Sequence, residues 1–276
     1  MPNDLSPSAG MVRAHDRDRF LATLFAPAEA RDDLFALYAF NIEIASVRER
    51  VVEPMMGRIR LQWWRDAIDT GEGGGHPLAG EVLRAVAGRG LDRQALGRMI
   101  EARESDLDDA PHADVAALEA YAEATAGELA GLSLGVLGAR SEAERAAGRH
   151  VGIAWALIGL LRAVPFMASH GRLALPLDRL AAHGVHSRDV LAGTASPGLA
   201  KVVEEIAARA GEHLARSRDH RRAVARRALP ALLLGVQAER YAQALARAGF
   251  NPFAARPPPP GTGTPRMALA ALTGRY

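Results

Sequence analysis

Apolar residues recur along this chain at intervals of three and four, the spacing that lines one face of an α-helix. Leu34, Leu37, Tyr38, Ile42, Ala45 and Val52 follow it, and Ile59, Trp63 and Ala67 continue it. Val and Ile are sparse and seldom alternate with polar residues, so no strand is predicted. Pro27 breaks a helical stretch over 16–51, and Pro54 opens the next helix at its first turn, where a missing N–H costs nothing. The run GEGGG at 71–75 ends that helix. Further helices are predicted over 77–88, 94–107, 115–138 and 141–167, with a turn at DDAPHAD, 108–114. Residues 169–186 read as a loop with a short helix after Pro176, followed by helices over 187–192, 197–222 and 228–249. FNPFAARPPPPGTGTPR, 250–266, is too rich in proline for a helix and is expected to be extended, before a short closing helix. The pattern predicts an all-α bundle of roughly eight to ten helices, with any ligand site lined by inward side chains between them. It divides into a loose tail over 1–15, a helical domain over 16–250, and a Pro-rich segment with a short helix over 251–276. Gly127, Gly131 and Gly135, four residues apart, are expected to let a neighbouring helix approach closely.

Composition narrows the function. The 276 residues are 49% hydrophobic but only 5% aromatic, so Ala and Leu, both good helix formers, supply most of the apolar content. There is no cysteine, which excludes disulfides, zinc–thiolate sites and thiol nucleophiles. A net charge of +2 is too even to make nucleic acid a partner. The first twenty residues have no apolar core and are not a targeting peptide, and no uninterrupted apolar stretch approaches the ~20 residues of a membrane span. The expected location is the cytoplasm, with peripheral contact at the inner face of a membrane. RSRDHRRAVARR, 216–227, is the one basic run that could make such a contact, against the plainer reading of a solvated helix face.

Three segments carry a resemblance. FLATLFAPAEARDDLFALYAFN, beginning at Phe20, is similar to the opening of squalene and phytoene synthases, with Phe20, Pro27, Arg31 and Tyr38 in the characteristic places. LEAYAEATAGELAGLSLGVLG, 118–138, resembles the Tyr-containing helix of that family and includes Tyr121. VGIAWALIGLLRAVPFMASHGRLALPLDRL, 151–180, resembles its second catalytic helix and the segment after it. The order and spacing extend over about 20–250, and the resemblance implies an isoprenoid-synthase-type helical bundle with a central cavity.

In that family two aspartate motifs on facing helices hold Mg²⁺ ions, which bridge carboxylates to a prenyl diphosphate and neutralise the leaving diphosphate. The first motif maps onto Ala45, Ser46 and Glu49, the second onto Ala163 and Met167. Of five expected carboxylates, Glu49 alone remains. No metal or other cofactor is therefore expected, Mg²⁺ entering only if the chain is a prenyl transferase with an altered metal site. ALYAFNIEIASVRERVVEPMMGRIRLQWWRDAI, beginning at Ala36, is similar to a branch of the family that assists assembly of respiratory complex I in mitochondria, through Asn41, Glu43, Ala45, Val47, Val51, Arg60, Gln62 and Trp64. That branch implies a bacterial relative without catalysis, whose partners are respiratory-complex subunits or assembly intermediates. A prenyl-lipid or prenyl-diphosphate binder is the further alternative.

Candidate ligand-binding residues are Tyr38, Arg48, Glu49, Tyr121, Arg162 and Arg172. The three arginines could line a metal-free anion pocket, since guanidinium groups bind phosphate well; the plainer reading is salt bridges to Glu43, Glu49 or Asp178. Asp106, Asp108 and Asp109 read as a solvated turn, His183 and His186 as surface loop residues, and at least one of Trp63 and Trp64 as core.

Overall fold

The computed structural model describes residues 5–259 and 261–276. Among them there is no strand. The helices are α1 (Pro7–His15), α2 (Arg17–Thr23), α3 (Ala28–Ala45), α4 (Val47–Arg50), α5 (Pro54–Thr70), α6 (Pro77–Arg89), α7 (Arg93–Glu104), α8 (Val115–Ala122), α9 (Glu128–Val136) and α10 (Glu142–Ser169). They continue with α11 (Leu177–Ala182), α12 (Ser187–Leu191), α13 (Pro197–Asp219), α14 (Leu229–Leu232), α15 (Leu234–Arg247) and α16 (Thr264–Thr273). Their starts follow local chemistry. Ser141 and Glu144 form a reciprocal capping box at α10, and Asp114 and Ser196 each accept a backbone N–H at α8 and α13. α5 stops at Gly71, whose φ of 80° is accessible without strain because it lacks a Cβ.

α10 is the central element. It packs against α13, α9 and α15, and Val151, Ala154, Leu157, Ile158 and Leu161 are buried along it. By length and composition this helix passes as a membrane span, contrary to the expectation that none would. It lies inside the bundle, more than half buried by its neighbours.

Three expectations need correction. The loose tail does not extend to residue 15: Pro7–His15 is a helix, capped by Ser6 and anchored by buried Ala9 and Val12. Residues 1–4 of that tail lie outside the described residues. The helix expected over 115–138 runs without interruption from Val115 to Val136, and Glu123–Gly127 within it widens into a π turn. Of the three glycines expected to allow close approach, Gly131 faces open space; the approach is at Gly127, opposite Gly152 of α10, where a Cβ on Gly152 would collide with the Ala126 carbonyl and the Gly127 Cα, and a Cβ on Gly135 would crowd Leu91. Finally, α13 ends at Asp219, so only 216–219 of the basic run are α-helical and the rest is short turns. Arg218 pairs with Glu239 at 2.6 Å and donates to the Tyr276 carbonyl, and Arg226 donates to the Leu272 carbonyl. Those two guanidiniums hold the C-terminal helix and are not free for a surface contact.

Candidate functional site

A cavity of about 220 Å³ opens between the C-terminal end of α3, the turn after α7, α8, and the C-terminal half of α10. Ala45 and Glu49 line it on one side, Ala163 and Met167 on the other. Ala163 and Met167 share a face because residues four apart in a helix stack one above the other. Leu160, Phe166 and Leu173 add apolar wall. The positions that the resemblance assigns to metal carboxylates thus face one space, with Ser46 outside it: the Ser46 hydroxyl donates to the Glu43 carbonyl.

The polar part of the cavity consists of acid–arginine pairs. Arg103 donates to the Tyr121 hydroxyl at 2.5 Å and to Asp106 at 3.3 Å, and Tyr121 in turn donates to Asp106 at 2.8 Å. Burial pushes the Tyr121 phenol well above its ordinary pKa, so it stays a neutral donor. Arg172, whose side chain is 10% exposed, pairs with Glu49 at 2.8 Å and approaches Asp109 at 4.0 Å. Arg48 forms a two-pronged contact with Asp109, and this hydrogen bond holds the Asp109 carboxyl below its ordinary pKa. Each carboxylate at the cavity therefore already faces a guanidinium, and the α10 wall offers none. A divalent cation would have to displace arginine from every acid it used. Among the described residues no three His, Asp or Glu side chains are grouped to hold a metal ion. The residues present do not fit the family's Mg²⁺ cluster.

Of the candidate ligand residues, the structure brings Glu49, Tyr121 and Arg172 into this cavity and sets Arg48 behind it on Asp109. Two lie elsewhere. Tyr38 is buried against Arg19 and Ser133, away from the cavity. Arg162 leaves α10 on another side and sits over the Tyr241 ring, 3.6 Å from its centroid. It neighbours Ala163 in sequence, but adjacent residues on a helix point about 100° apart. Of the three acids read as a solvated turn, Asp108 faces out and pairs with Arg58, Asp109 is exposed on a turn but also lines the cavity, and Asp106 is half-buried in it, which that reading did not foresee. Arg103, which sequence reasoning passed over, sits in EARESDLDD, 101–109, beside the acids it pairs with. Of the tryptophans, Trp64 is buried edge-on against Phe40 and Trp63 is exposed. His183 contacts Glu205 at 2.7 Å, and His186 is exposed.

The sequence profile of the squalene/phytoene synthase family matches residues 12–263. The chain is 35% identical over 246 residues to "NADH dehydrogenase (ubiquinone) complex I, assembly factor 6" of Mus musculus, covering 88% of this chain and 74% of that protein. It is 32% identical, with the same coverage, to the protein of that name from Homo sapiens. It is 29% identical over 201 residues to a presqualene diphosphate synthase of Sinorhizobium fredii, covering 72% of each. Among solved structures, a dehydrosqualene synthase superimposes with a TM-score of 0.82 at 16% identity, over 96% of this chain and 94% of that one. Squalene synthase HpnC from Alicyclobacillus acidocaldarius gives 0.78 at 20% identity, over 89% and 94%. These two likenesses establish the isoprenoid-synthase bundle.

Proposed function

The chain belongs to the squalene/phytoene synthase family, and we propose that it is a member without prenyl-transfer activity that acts in the assembly of a respiratory NADH dehydrogenase. The observation that carries this reading is the state of the cavity. Two of the family's metal-binding positions on α10, and two on α3–α4, hold Ala163, Met167, Ala45 and Ser46. The acids that remain, Glu49, Asp106 and Asp109, are neutralised by Arg172, Arg103 and Arg48. Without metal charge, expulsion of diphosphate has no electrostatic assistance. The guanidinium–carboxylate pairs link α4, the turn after α7 and the loop after α10 directly, so the walls are joined with no bound metal. The similarity to complex I assembly factors over 88% of the chain supports the same reading. The protein works, on this view, with subunits or intermediates of that complex, at the cytoplasmic face of the membrane that carries it.

The cavity has not collapsed, and its apolar wall of Leu160, Phe166 and Leu173 favours a second reading in which a prenyl lipid is held there without reaction.

A deletion strain tests the proposal. Membranes from it are expected to lose NADH:quinone oxidoreductase activity, and a plasmid copy carrying Glu49→Ala is expected to restore it fully. Purified protein with Mg²⁺ and farnesyl or geranylgeranyl diphosphate is expected to release no diphosphate beside an active phytoene synthase. Diphosphate release abolished by Glu49→Ala would overturn the non-catalytic reading. Unchanged respiratory activity with an altered lipid profile would replace assembly with lipid holding.

A further inference from the structure

α5 is apolar on two sides. Gly57, Leu61, Trp64 and Ile68 are buried along one. On the other, Met55, Met56 and Ile59 are each more than half exposed, as is Val52 on the turn leading into the helix, and Trp63 is 37% exposed. At 100° per residue, Met55, Met56, Ile59 and Trp63 fall within an arc of about 100°. Apolar spacing alone assigns Ile59 and Trp63 to an inner face, because the spacing marks an amphipathic face without saying what covers it. Nothing among the described residues covers this one. Single exposed apolar side chains need no explanation, but five on one stripe do.

The charges around the stripe suit the interface of a bilayer. The arc carries no charged side chain before Asp66, which accepts from Gln62 Nε2 at 2.6 Å. Arg58 and Arg60 stand at its two edges, where long guanidinium side chains keep their heads at the level of lipid head groups while the residues between them enter the acyl region. Trp63 closes the stripe at one end, and indole rings favour the boundary between hydrocarbon and water. The rim is close to neutral: Arg58 pairs with Asp108, Arg50 pairs with Glu43, and Arg60 and Glu53 are exposed with opposite charges. The stripe therefore has what apolar insertion requires and little that draws a protein to anionic lipid over a distance. A protein partner fits less well. The largest apolar patch on a typical monomer is about 300–600 Å², and five partly covered side chains give no more, short of the ~800 Å² that each side of a stable protein interface buries.

We propose that the outer face of α5, from Val52 to Trp63, is the surface on which this protein lies against a bilayer, with Met55, Met56 and Ile59 among the upper acyl carbons and Arg58 and Arg60 at the head groups. The inference rests on the function proposed above only for the presence of a membrane. It names the face that meets that membrane, and lipid binding is measured without any respiratory complex.

Co-sedimentation of the full chain with phosphatidylcholine vesicles, with and without phosphatidylglycerol, tests it. Binding to both is expected, differing by less than about threefold and persisting at about 1 M salt, where the screening length is about 3 Å. Tryptophan emission is expected to shift to the blue on vesicles, and Trp63→Phe to remove the shift. Met55→Gln combined with Ile59→Gln is expected to weaken binding about tenfold or more. Neither side chain belongs to the core, so this variant is expected to keep the wild-type melting curve. Arg222→Gln combined with Arg227→Gln, in the basic run, is expected to leave binding unchanged. No binding to either vesicle overturns the proposal, as does full binding by the Met55→Gln, Ile59→Gln variant. A dimer in solution that this variant disperses, without lipid binding, overturns it by giving the stripe to a second copy. Binding confined to anionic vesicles and abolished by salt or by the arginine substitutions overturns it by moving the contact to 216–227. The deletion strain reports on the assembly role separately, so failure of the docking face and failure of that role are distinct results.

Discussion

Arg103→Met tests whether the acid–arginine pairs hold the central cavity together. Arg103 joins Tyr121 on α8 to Asp106 on the turn after α7, donating to both. Methionine keeps much of the apolar stem and removes only the fork. A hydrogen bond to a charged group contributes about 1.5–3 kcal/mol, and the loss also leaves Asp106 with Tyr121 as its one remaining partner there. The side chains of Arg103 and Asp106 are 18% and 26% exposed, so water recovers part of the cost. The net loss is expected to be on the order of 2 kcal/mol. For a domain of this size that is a fall in Tm of about 4–8 °C. Reversible thermal and urea denaturation of Arg103→Met, Tyr121→Phe and the double variant measures it. Because the groups share one network, the cycle is expected to be non-additive by about 0.5 kcal/mol or more. A loss below about 0.5 kcal/mol, or strict additivity, would refute the idea that these pairs take over the bracing of the cavity walls.

Gly152→Ala is expected to destabilise by about 1–3 kcal/mol, because the new Cβ meets the Ala126 backbone, which cannot rotate away. Gly131→Ala, with open space around it, is expected to be neutral or to stabilise by about 0.5–1 kcal/mol; melting curves of the two separate a packing glycine from a merely present one. The pH dependence of stability is expected to have an acid limb to which His150 contributes, along with His213 and His112, which burial shifts in the same direction. Burial, then the charges of His213, Arg149, Arg216 and His220, pull the His150 pKa down to about 4 from 6.5. The unfolded chain takes up that proton first, so stability is complete above about pH 6.5 and falls as pH drops toward 4. With partial solvent screening the contribution is on the order of 1 kcal/mol. Urea midpoints across pH 4–7 are expected to show a shallower slope for His150→Gln, and an unchanged slope would remove His150 as a contributor.

Much of the fold was legible because its signals are local. Proline at a first turn, a serine or aspartate cap and apolar spacing of three and four depend on residues within one or two turns. The tail was misread because α1 has only Ala9 and Val12 to bury, too little periodicity to recognise without the partner that covers it. The π turn at Glu123–Gly127 escaped for a related reason: it lies where α10 presses against Ala126, and nothing within 115–138 announces it.

By itself, then, the sequence determined the all-α class, the order of the helices and, through Ala45, Ser46, Ala163 and Met167, the loss of the family's metal carboxylates. Tertiary structure decided what replaced them. Arg103, Asp106, Tyr121, Glu49, Arg172, Asp109 and Arg48 come from four separate stretches, and only folding brings them together. It also decided that, of two neighbours in the chain, Arg162 sits over the Tyr241 ring and Ala163 lines the central cavity. A helix fixes the angle between adjacent side chains, but which side becomes a cavity depends on the helices packed around it.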